Sequence, residues 1–165
     1  MPSISFTEAF NAASTDVEPI VLAELTPNGG DTIYLSSHAT RRLSLDPLTY
    51  GTTSNGIDYQ FVLMSMAWPG DQDASPPATS LVFANVAEDM AAAARGVTPG
   101  RQADVILKLV TTADLDFVEE TYVMKATGAT YNASQVSLTV SREPIEAEPY
   151  PAQRMTKQRY PGQFR

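Results

Sequence analysis

The chain contains no cysteine. A disulfide framework and any thiolate-ligated metal are therefore excluded. Its one histidine, His38, leaves too few imidazoles for a zinc site. Positive charge is scarce: 11 Lys and Arg stand against 19 Asp and Glu, a formal net of −8. That balance argues against a general nucleic-acid binder, which needs a basic surface to neutralise phosphates. No eighteen consecutive residues are apolar, so no segment is expected to insert into a membrane. Met1 to Ala13 lacks the basic start and continuous apolar stretch of a secretory signal, and a soluble chain made in the cytoplasm is expected. Asn28-Gly29-Gly30 has neither the Lys-Ser/Thr pair nor the following helix of a phosphate-binding loop.

What is present suits a globular chain. Of 165 residues 43% are hydrophobic, with seven Tyr and six Phe, enough to bury one core. Charge is uneven along the chain. Residues 149–165 hold Arg154, Lys157, Arg159 and Arg165 and no acid, whereas the first 148 residues hold seven basic and all nineteen acidic residues, a net of −12. The organisation expected is a β-rich domain over 1–148 and a basic, aromatic C-terminal arm over 149–165 that belongs to the same domain.

Strand patterns dominate. A short helix over Ser5–Phe10, capped by Ser5 with Glu8 reaching back, would put Phe6, Ala9, Phe10 and Ala13 on one face. Glu18–Leu25 and Thr32–Ser36 read as strands joined through the turn Pro27-Asn28-Gly29-Gly30. Asp46–Gly56 reads as turn-rich, with a small satellite pairing of Tyr50 and Ile57. Tyr59–Trp68 reads as one long strand, and Pro69–Pro77 as a surface loop. Ser80–Ala84 is a short strand leading into a helix capped by Asn85 and stopped by Gly96. Ala103–Thr112, Phe117–Thr127 and Thr130–Ser141 are three further strands, the last two joined by a tight hairpin at Thr127-Gly128-Ala129. In the last of them Val136, Leu138 and Val140 alternate with Gln135, Ser137 and Thr139, one dry face and one wet. The fold class is mainly β, an antiparallel sandwich or barrel of about seven strands with one packed helix, a short N-terminal helix and an extended arm.

Catalytic patterns are thin, and no enzyme activity is expected. His38 has no sequence spacing that supplies a nucleophile and an orienting carboxylate, and reads as an exposed loop histidine. Asp114, Asp116, Glu119 and Glu120 are interrupted by Leu115, Phe117 and Val118, against the alternation a calcium loop needs, and read as a solvated hairpin face. Met64, Met66 and Trp68 at strand spacing read as core or interface. No cofactor is expected. The residues expected to matter are interfacial: Tyr150, Arg154, Met155, Arg159, Tyr160 and Phe164. They would anchor the proline-limited arm on a partner or on the chain's own sheet.

The order of segments carries a resemblance. Val21-Leu22-Ala23-Glu24-Leu25 precedes a hairpin. Ser80 to Met90 is a strand ending in Asn-Val and entering a helix. Ala103 to Leu109 follows, then Tyr150-Pro151-Ala152-Gln153-Arg154-Met155 and Arg159-Tyr160-Pro161-Gly162-Gln163-Phe164. Across essentially its whole length the chain resembles a family of short tail proteins of siphophages and prophages, and is similar to the N-terminal domain of the tail tip protein L of lambda-like phages. The resemblance implies a tail-tube-related β fold in a ring at the distal end of a virion tail. A trimer is implied first and a hexamer second, next to other tail tip, distal tail and tape-measure proteins. DNA would pass through the lumen without specific binding, and an acidic wall would help it slide. The lambda-type protein carries an iron–sulfur cluster in a further, cysteine-bearing domain; with no cysteine here, no cluster is implied. The alternative reading is a small β-sandwich that binds carbohydrate on a host surface, with Tyr50, Tyr59 and Trp68 as its nearest aromatic candidates. A glycan hydrolase with a carboxylate pair is a third.

Overall fold

The structure is a computed structural model that describes residues 3–67, 78–84, 102–132 and 134–141, together with Arg159 and Gly162. Its elements in chain order are α1 (Ile4–Asn11), β1 (Pro19–Thr26), β2 (Ile33–Ser36), β3 (Arg41–Leu45), β4 (Leu48–Ser54), β5 (Ile57–Phe61), β6 (Met64–Met66), β7 (Ala78–Ala84), β8 (Ala103–Thr111), β9 (Glu120–Tyr131) and β10 (Gln135–Ser141). The ten strands form one sheet in the order β3-β4-β5-β2-β1-β8-β9-β10-β7-β6. Every pairing is antiparallel except β2 with β5, so the sheet is mainly antiparallel, as expected, with one parallel pair.

Chain connectivity makes the sheet curl. β5 and β6 are joined by Val62 and Leu63 alone, yet stand seven places apart in the strand order. Seven strand spacings across a flat sheet come to about 34 Å, whereas the three Cα steps from Phe61 to Met64 span at most about 11 Å. The sheet therefore wraps into a half-barrel. The Val62 amide continues the β2 ladder by donating to the Ser36 carbonyl at 3.0 Å. The single strand expected over Tyr59–Trp68 is thus two, serving opposite sides of the wrap, and Trp68 lies outside the described residues.

The enclosed face is the main core. Ala23, Leu25, Leu35, Phe83, Leu107, Met124 and Val140, from six strands, are buried there, with Val62, Met64 and Met66 packed against them. A second, smaller cluster lies on the opposite face of β1 and β8, where Ile20, Leu22, Tyr59 and Val110 are covered by Leu115 and Val118. The expected alternation in β10 holds: Val136, Leu138 and Val140 are buried and Gln135 and Thr139 exposed.

Four local expectations are corrected. The helix is capped by Ser3, whose hydroxyl accepts from the Phe6 amide at 3.1 Å. Ser3 is fixed there because buried Glu119 accepts from its amide and its hydroxyl, each at 2.6 Å, so the first turn begins two residues early and Glu8 is not needed as a cap. Phe10 does not join the buried face and is exposed.

The stretch 46–56 is not turn-rich but mostly strand. β3 and β4 form a hairpin at a cis Asp46-Pro47 bond, and Asn55-Gly56, both at positive φ, turn β4 into β5. Tyr50 and Ile57 lie on neighbouring strands, opposite Arg42 and Ser54 rather than each other.

The Thr127-Gly128-Ala129 turn is a β-bulge. β9 runs through it to Tyr131, and the register slips so that Gly128 faces Thr139 while Ala126 faces Val140. The hairpin is made instead at Asn132, whose side chain accepts from the Ser134 and Gln135 amides at 2.9 and 2.8 Å. Finally, β9 starts at Glu120 rather than Phe117, because 112–119 is a folded loop. The helix expected from Asn85 and the domain boundary at 148/149 lie outside the described residues.

Candidate assembly surfaces

Of the arm residues expected to act, Tyr150, Arg154, Met155, Tyr160 and Phe164 lie outside the described residues; Arg159 stands exposed in a turn. The surfaces that the described strands build are therefore the ones that can be read.

The carboxylates once considered for calcium or hydrolysis hold the loop 112–119 together. Asp114 accepts from the Asp116 and Phe117 amides at 3.0 and 3.1 Å. Asp116 accepts from the Asn55 amide at 2.6 Å, and its carbonyl accepts from the Asn55 side chain at 2.9 Å, fastening the β4–β5 turn to the loop. Glu119 holds Ser3, and Glu120 accepts from the Tyr122 hydroxyl at 3.0 Å. Asp114 and Asp116 are exposed, as expected of a solvated face, but they also clamp the loop, and Glu119 is buried. Among the described residues no three His, Asp or Glu side chains gather as metal ligands.

His38 does meet the partners that its sequence context does not predict. Its Nε2 lies 3.2 Å from Glu18 and its Nδ1 3.1 Å from the Ser37 hydroxyl. That hydroxyl also accepts from the Val21 amide at 2.9 Å, which ties the end of β2 to β1. Both ends of the histidine–glutamate contact are solvent-accessible, the regime in which such a pair contributes little.

A largely buried ion pair lies on the outer face of β1. Glu24 accepts from the Tyr59 hydroxyl at 2.6 Å and from the Lys108 ammonium at 2.5 Å. Burial, then the hydrogen bond and charge of Glu24, push the Tyr59 hydroxyl far above its ordinary pKa, so it stays a donor throughout the physiological range. Tyr34 packs edge-on to Tyr59 with ring centroids 5.4 Å apart. A buried core residue cannot stack on a sugar. Of the three aromatics considered for carbohydrate, only Tyr50 is exposed, Tyr59 is buried, and Trp68 is outside the described residues.

A different surface emerges from the strand register. The outer face of β6, β7, β9 and β10 carries Ser65, Ser80, Thr121, Thr130, Ser137 and Thr139. The bulge at Thr127 keeps this face consistent, turning Ala126 and Ala129 both inward while Lys125 and Thr130 stay out. The Ser80 and Ser137 hydroxyls lie 3.3 Å apart across the strands. Among the described residues its charge is Lys125 on β9, with Asp104 and Lys108 alongside on β8. The wet half of the alternation in 135–141 was the sequence signal for this face.

Val82 and the exposed Val123 share this face, and Leu63 and Phe117 are exposed on connecting segments; the other large exposed apolar side chains among the described residues fall in two groups. Leu45, Leu48 and Tyr50 project from the β3–β4 hairpin, and Ile4 and Phe10 from α1. Beside α1, Phe6, Ala9, Phe10, Val17 and Pro19 line an open groove of about 250 Å³. A second cleft of about 600 Å³ borders the Asn28-Gly29-Gly30 turn with Asp104 and Lys125 on its wall, and the acid there suits no phosphate. No described helix is long and apolar enough to cross a membrane.

Comparison with known proteins adds no family: neither a protein-family model nor a curated protein sequence matches this chain.

Proposed function

We propose that this chain is a structural subunit of a phage-type tail tip, one of several copies that surround the tail lumen between the end of the tube and the host-recognising tip. The observation that carries the reading is the two-sided half-barrel: a dry enclosed core behind a broad outer sheet face on which Ser and Thr predominate, with Val82 and exposed Val123 among them. A lumen wall has to let DNA and an extended protein pass. Basic groups would hold phosphates and apolar groups would hold protein, and Ser and Thr do neither strongly. The wall on this reading is close to neutral, with Asp104, Lys108 and Lys125 the charges its register places there, rather than the acidic wall first expected. The order of sequence segments, which resembles siphophage tail proteins along the whole chain, supports the same reading, as does a segment 149–165 whose basic charge complements an acidic body. Three copies, or six, would close the ring, with tail tip, distal tail and tape-measure proteins as neighbours.

Gold-labelled antibody against the purified chain tests this on tailed particles from a host that carries the gene. Label at the distal end of the tail is the expected result; particles that lack the chain contradict the reading.

A further inference from the structure

Resting on the ring reading, we infer that neighbouring copies join head to tail: the β3–β4 hairpin of one copy seats in the groove beside α1 of the next.

The hairpin is built as a knob. Leu45 pairs with Leu48 and Arg42 with Tyr50, and the register slip between Arg42 and Ser44 brings Arg42, Leu45, Leu48 and Tyr50 to one face. Leu45 is 72% exposed and Leu48 59%, in a chain whose other leucines on β1, β2, β7, β8 and β10 are buried. β3 is also an outermost strand of the sheet, so no described strand flanks it on that side. The groove is an apolar counterpart of about 250 Å³, with the ring of Phe10 70% exposed beside it. Charge matches as well. Glu8, Asp16 and Glu18 stand beside the lining residues in sequence, whereas Arg42 on the knob has no ion-pair partner among the described residues.

Within one copy the tip of the knob and the start of α1 are tied to opposite ends of β4, while Glu18 beside the groove faces His38 at 3.2 Å, near the middle of that strand. β4 runs from the knob to Asn55, and Asn55 is fastened to Asp116 in the loop that ends at Glu119, the residue that holds the start of α1. The start of α1 therefore lies at the far end of β4 from the knob. Six strand steps put about 20 Å between the two ends. A second copy is the occupant that brings an Arg-flanked apolar knob to an acid-flanked apolar groove. Two different patches on each copy make a heterologous contact, which closes into a ring when the rotation between copies permits.

A mixing experiment on the purified full chain, read by analytical ultracentrifugation, tests the pairing. The double variant Leu45→Glu with Leu48→Glu lacks the knob, and Phe10→Glu lacks the groove; circular dichroism checks that each is folded. Each alone is expected to be monomeric where the wild type assembles. Mixed one to one, they are expected to form a dimer that grows no further, because one intact knob and one intact groove remain. Arg42→Glu, which leaves α1 untouched, is expected to weaken wild-type association by roughly tenfold, and Asp16→Arg on the opposite copy to do the same. Variants that assemble like the wild type overturn the head-to-tail contact and leave the ring reading standing, since the copies would then join elsewhere. A mixture that shows no dimer, or a wild-type chain monomeric up to its solubility limit, overturns the pairing. Absence of the chain from tails overturns the ring reading independently.

Discussion

The enclosed core and the β3–β4 hairpin follow opposite rules. In the core, Leu107, Phe83 and Val105 reach zero exposure and pack against side chains from strands distant in sequence. In the hairpin, the buried positions of β4 are glycine or polar, and its tip leucines are exposed beside Arg42. Ser36, Thr40 and Thr52 hydroxyls interlock beneath it at 3.0 and 3.2 Å, and Thr52 donates to the His38 carbonyl at 2.9 Å, while Leu45 and Leu48 face solvent. The difference separates two tasks. Apolar burial stabilises the single chain, whereas an apolar tip on a hydrogen-bonded support lowers the free energy of the assembly and contributes little to the subunit.

Substitutions sharpen that contrast, beginning in the core. Phe83→Ala and Leu107→Ala each remove a fully buried side chain. Each is expected to lower unfolding stability by about 3–5 kcal/mol in urea titrations. Gly51→Ala comes next. A Cβ there would lie 1.9 Å from the Tyr59 carbonyl oxygen and 2.6 Å from Leu43, and backbone cannot step aside. A loss of about 2–3 kcal/mol is expected in the same measurement, with the β4–β5 amides losing hydrogen-exchange protection first.

Tyr59→Phe removes one donor to Glu24 and leaves Lys108 as its partner. About 1–2 kcal/mol is expected, and the effect has a pH signature. The folded hydroxyl holds its proton to higher pH than an unfolded tyrosine, so its contribution is complete below about pH 10 and is lost as pH rises beyond it. Urea midpoints of the wild type should therefore fall more steeply above pH 10 than those of the Phe variant. Leu45→Ser with Leu48→Ser is expected to change subunit stability least, within about 0.5 kcal/mol, while assembly fails. A large loss of stability here would mean that the tip packs on its own chain and would erase the contrast.

The sequence spoke clearly where one face is dry. β10 was readable because buried and exposed residues alternate residue by residue, and β1 and β8, buried on both faces, were readable as near-continuous apolar runs. β3 and β4 were not readable, because the buried positions of β4 are Gly51, Thr52 and Ser54, small or polar residues that give no apolar period. Asn55-Gly56 was the overlooked signal, a pair suited to a two-residue hairpin because both positions sit at positive φ. Gly128 misled in the other direction, since glycine marks a bulge as readily as a turn. Connectivity was invisible for a different reason: that Phe61 and Met64 serve opposite sides of the wrap depends on pairings with β2 and β7, far away in sequence. The surface groups proposed to act, Leu45, Leu48 and the hydroxyl face, became meaningful only once register told which side chains share a face.

The most direct test of the ring account is the native mass of the purified chain, alone and with the products of its neighbouring genes. A closed species of three or six copies is predicted, either alone or once a neighbour is added. A chain that remains a monomer with every neighbour would contradict it.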